Sequence, residues 1–243
     1  MPVYFITGAA RGIGLELTRQ LSDLPSNTVI AAVRRTSSEL SDLQHDRSNL
    51  HIVNCDVSSE ESVATLSTTI PENLPSGKID FLINNAGVVD SPETRGLSVT
   101  AAALNTNISI NVLGPAFVVS TLAPLLAPNA LVVNVSSGIG SLGLVADGTI
   151  PAGIAAYSIS KAALNMLTVH QAVALKGVAR VACLDPGHVK TRLGGEKAVV
   201  EIADSARGIR KVINELKEGE QEKSDREAGR ARFFNFRGEE VPW

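Results

Sequence analysis

The chain has 243 residues, 44% hydrophobic and 19% charged, with 22 basic and 25 acidic side chains and a formal net charge of −3. That length suits one α/β domain, and the charge balance lacks the basic excess of a nucleic-acid binder. The longest apolar stretch, 113–135, contains Pro115, Pro124, Pro128 and Asn129, which break up the run of about 20 residues that a bilayer span needs.

A strand-like run starts at Val3 and meets a glycine motif at Gly8, which leaves no room for a leader, so a cytoplasmic protein is expected. Charge is distributed unevenly: Asp147 and Lys161 are the only charged side chains between 96 and 175, whereas the last 48 residues carry 21. The neutral middle reads as buried core or a dry site. Cys55 and Cys183 stand apart, with no metal-type spacing and no neighbouring histidine cluster, and read as buried thiols in strands.

Short β-branched runs at 3–7, 28–33, 50–54, 79–83, 130–135 and 178–184 predict strands. They alternate with helix candidates at 12–24, 59–70, 102–126 and 154–176. Such an order predicts a doubly wound parallel sheet of about seven strands with helices on both faces, a Rossmann-type single domain over 1–243. Residues 196–217 space Val199, Ile202, Ala203, Ala206, Ile209, Ile213 and Leu216 as one apolar stripe on a charged helix. Residues 218–230 have the composition of a solvated or mobile loop, so 188–230 reads as a substrate-side helix followed by a charged loop. A last strand is expected at 233–236, on the sheet edge.

The first strand runs into Thr7-Gly8-Ala9-Ala10-Arg11-Gly12-Ile13-Gly14 and then an amphipathic helix. Glycines there permit a tight turn and close approach of backbone to a pyrophosphate, and the helix N-terminus offers free N–H groups to its charge. An NAD site would place an acid at the end of the second strand. Here the strand ends Val33-Arg34-Arg35, with no acid before Glu39. Arg34, with Arg11 from the glycine turn, suits a ribose 2′-phosphate, so NADPH/NADP+ is the expected cofactor. No metal is expected.

Tyr157 and Lys161, four apart at the start of a helix, share one face. A phenol titrates near pH 10 and is a poor proton shuttle at neutrality unless its anion is stabilised. An ammonium at ~4 Å and an effective dielectric of ~20 supplies ~4 kcal/mol, roughly three pKa units before desolvation opposes it. The sequence thus predicts a Tyr157 phenol brought near neutrality. Ser137, at the carboxyl end of the fifth strand, is placed to donate to a carbonyl oxygen, with Ser136 and Ser141 as alternatives.

In their order, Thr7 to Gly14, Asn84-Asn85-Ala86-Gly87, Asn111-Val112-Leu113-Gly114, Ser137, Tyr157 to Lys161 and Pro186-Gly187 resemble the short-chain dehydrogenase/reductase family over the whole chain. The segments at 187–191 and 234–243 are similar to sniffer-type carbonyl reductases and to fungal ketoreductases of the norsolorinic acid ketoreductase type. The resemblance implies Tyr157 as general acid, Lys161 as its pKa-lowering partner and holder of the nicotinamide ribose, and Ser137 as the group that polarises the substrate. It implies that Asn111 holds a water linking Lys161 to solvent, with a helix kink as the plainer reading of an asparagine there. Asp56 and Val57 would meet the adenine, and Asn84, Ala86 and Gly87 would line the cofactor. Pro186, Gly187, Val189 and Thr191 would bracket the carboxamide.

This chain departs from the family in the long gap before Tyr157, which makes 141–153 an extended loop beside the site, and in carrying His188 and Arg192 where an aromatic and an acid are common. The reading that follows is an NADPH-dependent reductase of an apolar ketone or aldehyde. Its pocket would be framed by 88–100, 138–154 and 188–195. The alternatives are a non-catalytic NADP(H)-binding sensor or scaffold, and an imine reductase or alcohol dehydrogenase on the same site. A homodimer through 102–126 and 154–176 is expected by resemblance, with the tail ending at Trp243 as a further contact. No nucleic-acid or membrane partner is expected.

Overall fold

A computed structural model of the chain describes residues 1–70 and 77–243, and the side chains of all of these except 220–223. Seven parallel strands form one sheet: β1 (Val3–Thr7), β2 (Thr28–Val33), β3 (Leu50–Asn54), β4 (Ile79–Asn84), β5 (Leu126–Val135), β6 (Ala179–Asp185) and β7 (Arg232–Asn235). Their spatial order is β3-β2-β1-β4-β5-β6-β7, and every pairing is parallel. The chain winds outward from β1 to β3, then returns to lay β4 on the other side of β1. That reversal opens a crevice at the carboxyl ends of β1 and β4, where doubly wound sheets bind ligands.

The helices are α1 (Gly12–Ser22), α2 (Ser38–His45), α3 (Glu60–Ala64), α4 (Leu66–Thr69), α5 (Ala101–Ile108), α6 (Gly114–Leu122), α7 (Leu142–Ala146), α8 (Ala155–Ala174), α9 (Ile202–Glu218) and α10 (Glu220–Ala228). Alternation along β1 sorts its side chains onto two cores. Tyr4 and Ile6 join Leu17 and Leu21 of α1 and Ala206, Ile209, Val212, Ile213 and Leu216 of α9. Val3 and Phe5 join Val63, Leu66, Val118, Leu122 and Ala172 on the opposite face. Both faces of the sheet are therefore covered, which is why the central strands lack polar alternation.

Several elements differ from expectation for local reasons. Helix α2 carries one buried residue, Leu40, and no apolar stripe to betray it, yet it is capped by Ser37 accepting from Leu40 N. The 59–70 candidate is two short helices meeting at Thr65. The 102–126 candidate is broken by a π turn over Ser109–Leu113, and β5 starts early, at Leu126. Its register against β4 shifts between Ile79 and Phe81, in the stretch that holds Pro128 and Asn129, the latter at φ 63°.

Helix α9 begins at Ile202 rather than 196, because Val200 bridges to Val189 and its carbonyl accepts from Lys190 N at 2.9 Å. Val199, counted in the stripe, lies outside the helix and is exposed. The charged stretch 218–230, expected as a loop, is largely helical in α10, with left-handed Gly229 ending it. Its Glu, Gln, Lys, Arg and Ala content favours a helix once Gly177 N is tied to Arg226 O. Cys183 lies buried in β6, but Cys55, also buried, falls just beyond β3.

The tail folds back on its own chain. Trp243 stacks on Phe233 at 5.8 Å, and its carbonyl accepts from Gly143 N at 3.0 Å, so it closes over α7, a short helix that Ser141 caps inside the 141–153 stretch expected as a loop. Among the described residues, the helical run Ala101–Leu125 is long and apolar enough by length and composition to cross a membrane. Its π turn and its asparagines, packed against the 88–90 backbone, belong to the site described next.

Candidate active site

The glycine turn is shaped by what surrounds it. Gly8 and Gly12 have φ of +68° and +56°, a region that L side chains rarely adopt. A Cβ on Gly8 would lie 2.8 Å from Ala86 Cα, and one on Gly14 would overlap Asn85 Nδ2 and the Gly8 carbonyl oxygen. Thr7 Oγ1 accepts from Asn85 N and Ala86 N, both at 3.0 Å, locking the ends of β1 and β4 together. Gly14→Ala should therefore cost roughly 1–3 kcal/mol of stability by overpacking and displace the turn. Thermal melting and dinucleotide titration check this, and an unchanged midpoint with unchanged binding would contradict the close packing.

Three guanidiniums converge beside this turn. Arg11 is held below its usual pKa, first by desolvation and then by repulsion from Arg192 and Arg34. Arg34 is 3.8 Å from Asp56, its side chain 66% exposed. The Asp56 carboxyl is pulled down chiefly by hydrogen bonds from Ser58, with the Arg34 charge adding to this. Arg192, unassigned by the sequence, arrives because Thr191 packs over the turn: a Cβ on Gly12 would sit 3.3 Å from Thr191 Cγ2. Positive charge of this kind, at a helix N-terminus with glycine backbone laid open, suits a phosphate-bearing ligand.

Not every predicted binding residue faces the crevice. Asn84 is buried, and its amide donates to Asn134 Oδ1 at 2.8 Å. Asn134 in turn donates to Thr168 and Gln171, so Asn84 braces the sheet against α8 and only its backbone neighbours line the cleft. Val57 packs against Gly114 of α6, Ile13 is partly buried on the core and Val189 is buried. Ala86, Gly87, Pro186, Gly187 and Thr191 are partly exposed along the cleft. His188 caps its own loop through Nε2 and Gly194 O, at 2.8 Å.

Asn111 occupies the π turn, fully buried. Its amide pairs with both Val88 N and Val88 O at 2.9 Å and donates to Ser160 Oγ at 3.0 Å. One turn earlier, Asn107 pairs likewise with the Asp90 backbone. The kink reading and the site reading thus coincide: the extra residue of the π turn swings Asn111 onto the Val88 backbone, past the end of β4. A Cβ on Gly87 would approach Asn111 Oδ1 and Lys161 Nζ, at 3.3 and 3.8 Å, so both groups stand behind one glycine.

Helix α8 carries Tyr157 and Lys161, 8% and 4% exposed. Its N-terminus is fastened by Thr94, whose carbonyl accepts from Ala155 N and whose hydroxyl accepts from Ala156 N. No sequence signal marks Thr94. The Tyr157 side chain is hydrogen-bonded to that of Ser137. Ser136 instead donates to Asn165 Oδ1 at 2.5 Å and Ser141 caps α7, so both alternatives are used structurally.

The expected lowering of the Tyr157 pKa is not what the surroundings produce. Burial dominates and raises it, the Ser137 hydrogen bond lowers it, and the nearby Asp185 raises it. The Lys161 ammonium is turned to Val135 O at 2.7 Å and stands 5.6 Å from the centre of the Tyr157 ring. Desolvation pushes the lysine down to about 8, against the pull of Cys183 and Asp185. The cost of burying both charges outweighs the attraction within the pair.

Asp185 also stands at the candidate site, and like Arg192 and Thr94 it was given no role from the sequence. It ends β6, and its Oδ1 accepts from Gly187 N at 3.1 Å. The one available signal was its place, directly before Pro186-Gly187 at the carboxyl end of a central strand.

The short chain dehydrogenase family profile matches residues 2–202. C-signal of Myxococcus xanthus is 39% identical over 174 residues, 70% of this chain and 96% of that protein. The carbonyl reductase Sniffer of D. melanogaster superposes with a TM-score of 0.87 at 29% identity, covering 100% of both chains. The NADPH-bound carbonyl reductase from chicken fatty liver does so at 0.84 and 29%, again over 100% of both.

Proposed function

The chain belongs to the short-chain dehydrogenase family of oxidoreductases, and from that premise we propose that it is a cytoplasmic NADPH-dependent reductase of an apolar ketone or aldehyde. The observation that carries this reading is the burial of Tyr157 and Lys161 next to half-buried Ser137 at the end of β5, beside a glycine turn flanked by Arg11, Arg34 and Arg192. Gly8, Gly12, Ile13 and Gly14 would hold the pyrophosphate, and Arg11 and Arg34 the 2′-phosphate. Asp56 and Val57 would stand by the adenine, and Asn84, Ala86 and Gly87 by the ribose and ring. Pro186, Gly187, Val189 and Thr191 would hold the carboxamide side. The partly exposed, left-handed backbone at Gly8 and Gly12, and the three guanidiniums beside it, fit such a ligand.

NADPH, when bound, supplies the hydride. Ser137 donates a hydrogen bond to the substrate oxygen and orients it. Tyr157, kept protonated by its buried setting, gives its proton to that oxygen as negative charge develops there. Lys161 steadies the phenolate that remains, and Asn111, joined to Val88 and Ser160, holds the π turn that closes the site behind Gly87. Exposed Leu113 and Met166, on the π turn after α5 and on α8, support a homodimer through those helices.

The deciding test is a panel of apolar ketones and aldehydes, followed by NADPH absorbance and product mass. Turnover of at least one compound to an alcohol two mass units heavier is expected. Binding of NADPH with no reduction across the panel would instead favour a sensor or scaffold, a reading for which the name of the C-signal relative is the one observation.

A further inference from the structure

Asp185 is an ionisable group near Tyr157 and Lys161 that the proposed chemistry does not use. Asp185 Oδ1 accepts from Gly187 N at 3.1 Å, and the same carboxyl accepts from the backbone N–H of Gly138. A Cβ on Gly138 would lie 3.3 Å from Asp185 Oδ2, so carboxyl and backbone are in close contact. Gly138 follows Ser137, and Gly187 belongs to the segment on the cofactor side. One side chain thus ties the loop after β5, which carries the substrate-orienting hydroxyl, to the loop after β6.

The titratable groups facing Asp185 are few. Tyr157 and Lys161 come from α8, and Cys183, two residues back on β6, acts on Lys161. The loop after β5 contributes uncharged Ser137 and Gly138, and β7 places uncharged Asn235 alongside. Burial pushes the Asp185 carboxyl up, and its backbone hydrogen bonds and the Lys161 charge oppose that.

We propose that Asp185 is a positioning residue of the reaction, whose carboxylate clamps the loops after β5 and β6 and holds a negative charge near the Tyr157 phenol, opposite in sign to the Lys161 ammonium. The inference rests on Tyr157 as proton donor. An anion near a phenol disfavours the phenolate, whereas a cation favours it. Asp185 and Lys161 therefore act on Tyr157 with opposite sign, and each favours the charged form of the other. Which hydroxyl form stands ready at a given pH is set by both charges and not by the Tyr157-Lys161 pair alone.

The test uses Asp185→Asn, which keeps an acceptor for Gly187 N and removes the charge, and Asp185→Glu, which keeps the charge. Should the amide fail to fold, Asp185→Ser carries the same expectation. With Asp185→Asn, the alkaline limb of kcat/KM for carbonyl reduction and the acidic limb for alcohol oxidation should move together to lower pH by about one unit. With Asp185→Glu both limbs should stay with the native protein.

Ultraviolet titration of the protein without dinucleotide gives a second readout when Tyr4→Phe is present in every variant, since the chain has two tyrosines and burial holds both phenols up. Tyrosinate absorbance should begin at lower pH in Asp185→Asn than in the native protein, and the difference should vanish when Tyr157→Phe is added. Superimposed profiles for Asp185→Asn and native protein would overturn the proposal. Equal shifts in the Asn and Glu variants would also overturn it, since charge would then not be the cause. If Tyr157→Phe turns over at the native rate, it is the proton-donor reading that fails, an outcome distinct from either of these.

Discussion

Tyr157→Phe should lower NADPH-dependent carbonyl reduction by about 10²–10⁴-fold, the usual contribution of a positioned general acid, while the affinity for NADPH changes little. The ring is 8% exposed, and phenylalanine preserves its packing, so the fold should persist. Only the hydroxyl and its hydrogen bond with Ser137 are lost. The raised Tyr157 pKa favours the donor role, since the phenol is fully protonated at neutral pH and has a proton to give. Steady-state kinetics alongside a fluorescence titration of NADPH separate the two quantities. Turnover within a few-fold of native would place the proton source elsewhere, whereas loss of binding together with turnover would mean that Tyr157 mainly holds the cofactor.

Arg34→Asp should reverse the preference for the phosphorylated dinucleotide. A hydrogen bond to a charged group contributes about 1.5–3 kcal/mol, so losing this cation should weaken NADPH by roughly 10–100-fold at 1.4 kcal/mol per tenfold. The new carboxylate repels a 2′-phosphate and can accept from a 2′-hydroxyl, so NADH should improve. The pairing with Asp56 at 3.8 Å, on a side chain 66% exposed, is a surface contact worth at most about 1 kcal/mol and should not prevent the clamp. Arg34→Ala separates the two effects, because it removes the cation without adding repulsion. The measurement is the ratio of kcat/KM for NADPH and NADH, and an unchanged ratio in the Asp variant would place the phosphate away from the end of β2.

Strands whose residues are apolar on both faces can hardly be anything but the centre of a covered parallel sheet, and β1, β2 and β6 announced themselves in that way. The glycine turn was equally legible, since its chemistry lies in eight consecutive residues, as was the four-residue spacing of Tyr157 and Lys161 on one helix face. Helix α2 escaped because it presents one buried leucine and no stripe. Helix α10 escaped because a charged composition describes a solvated helix as well as a loop. Asn84 reads as a cleft residue from its neighbours Asn85 to Gly87, but strand alternation sends its side chain into the interior.

What the sequence by itself determined is the set of local patterns: strand order in the chain, the phosphate turn, a phenol and an ammonium one helical turn apart, and a neutral stretch around them. What only the tertiary structure decided is what those groups feel. Arg192 acts on Arg11 because Thr191 packs over Gly12, Asp185 acts on Tyr157 because β6 lies beside β5, and Asn111 stands with Lys161 behind Gly87 because a π turn swings it there. The physical reason is that a pKa depends on burial and on every charge nearby, so it is set by elements far apart in the chain. Spacing along one helix reports a single neighbour, and here desolvation of both partners outweighs their attraction.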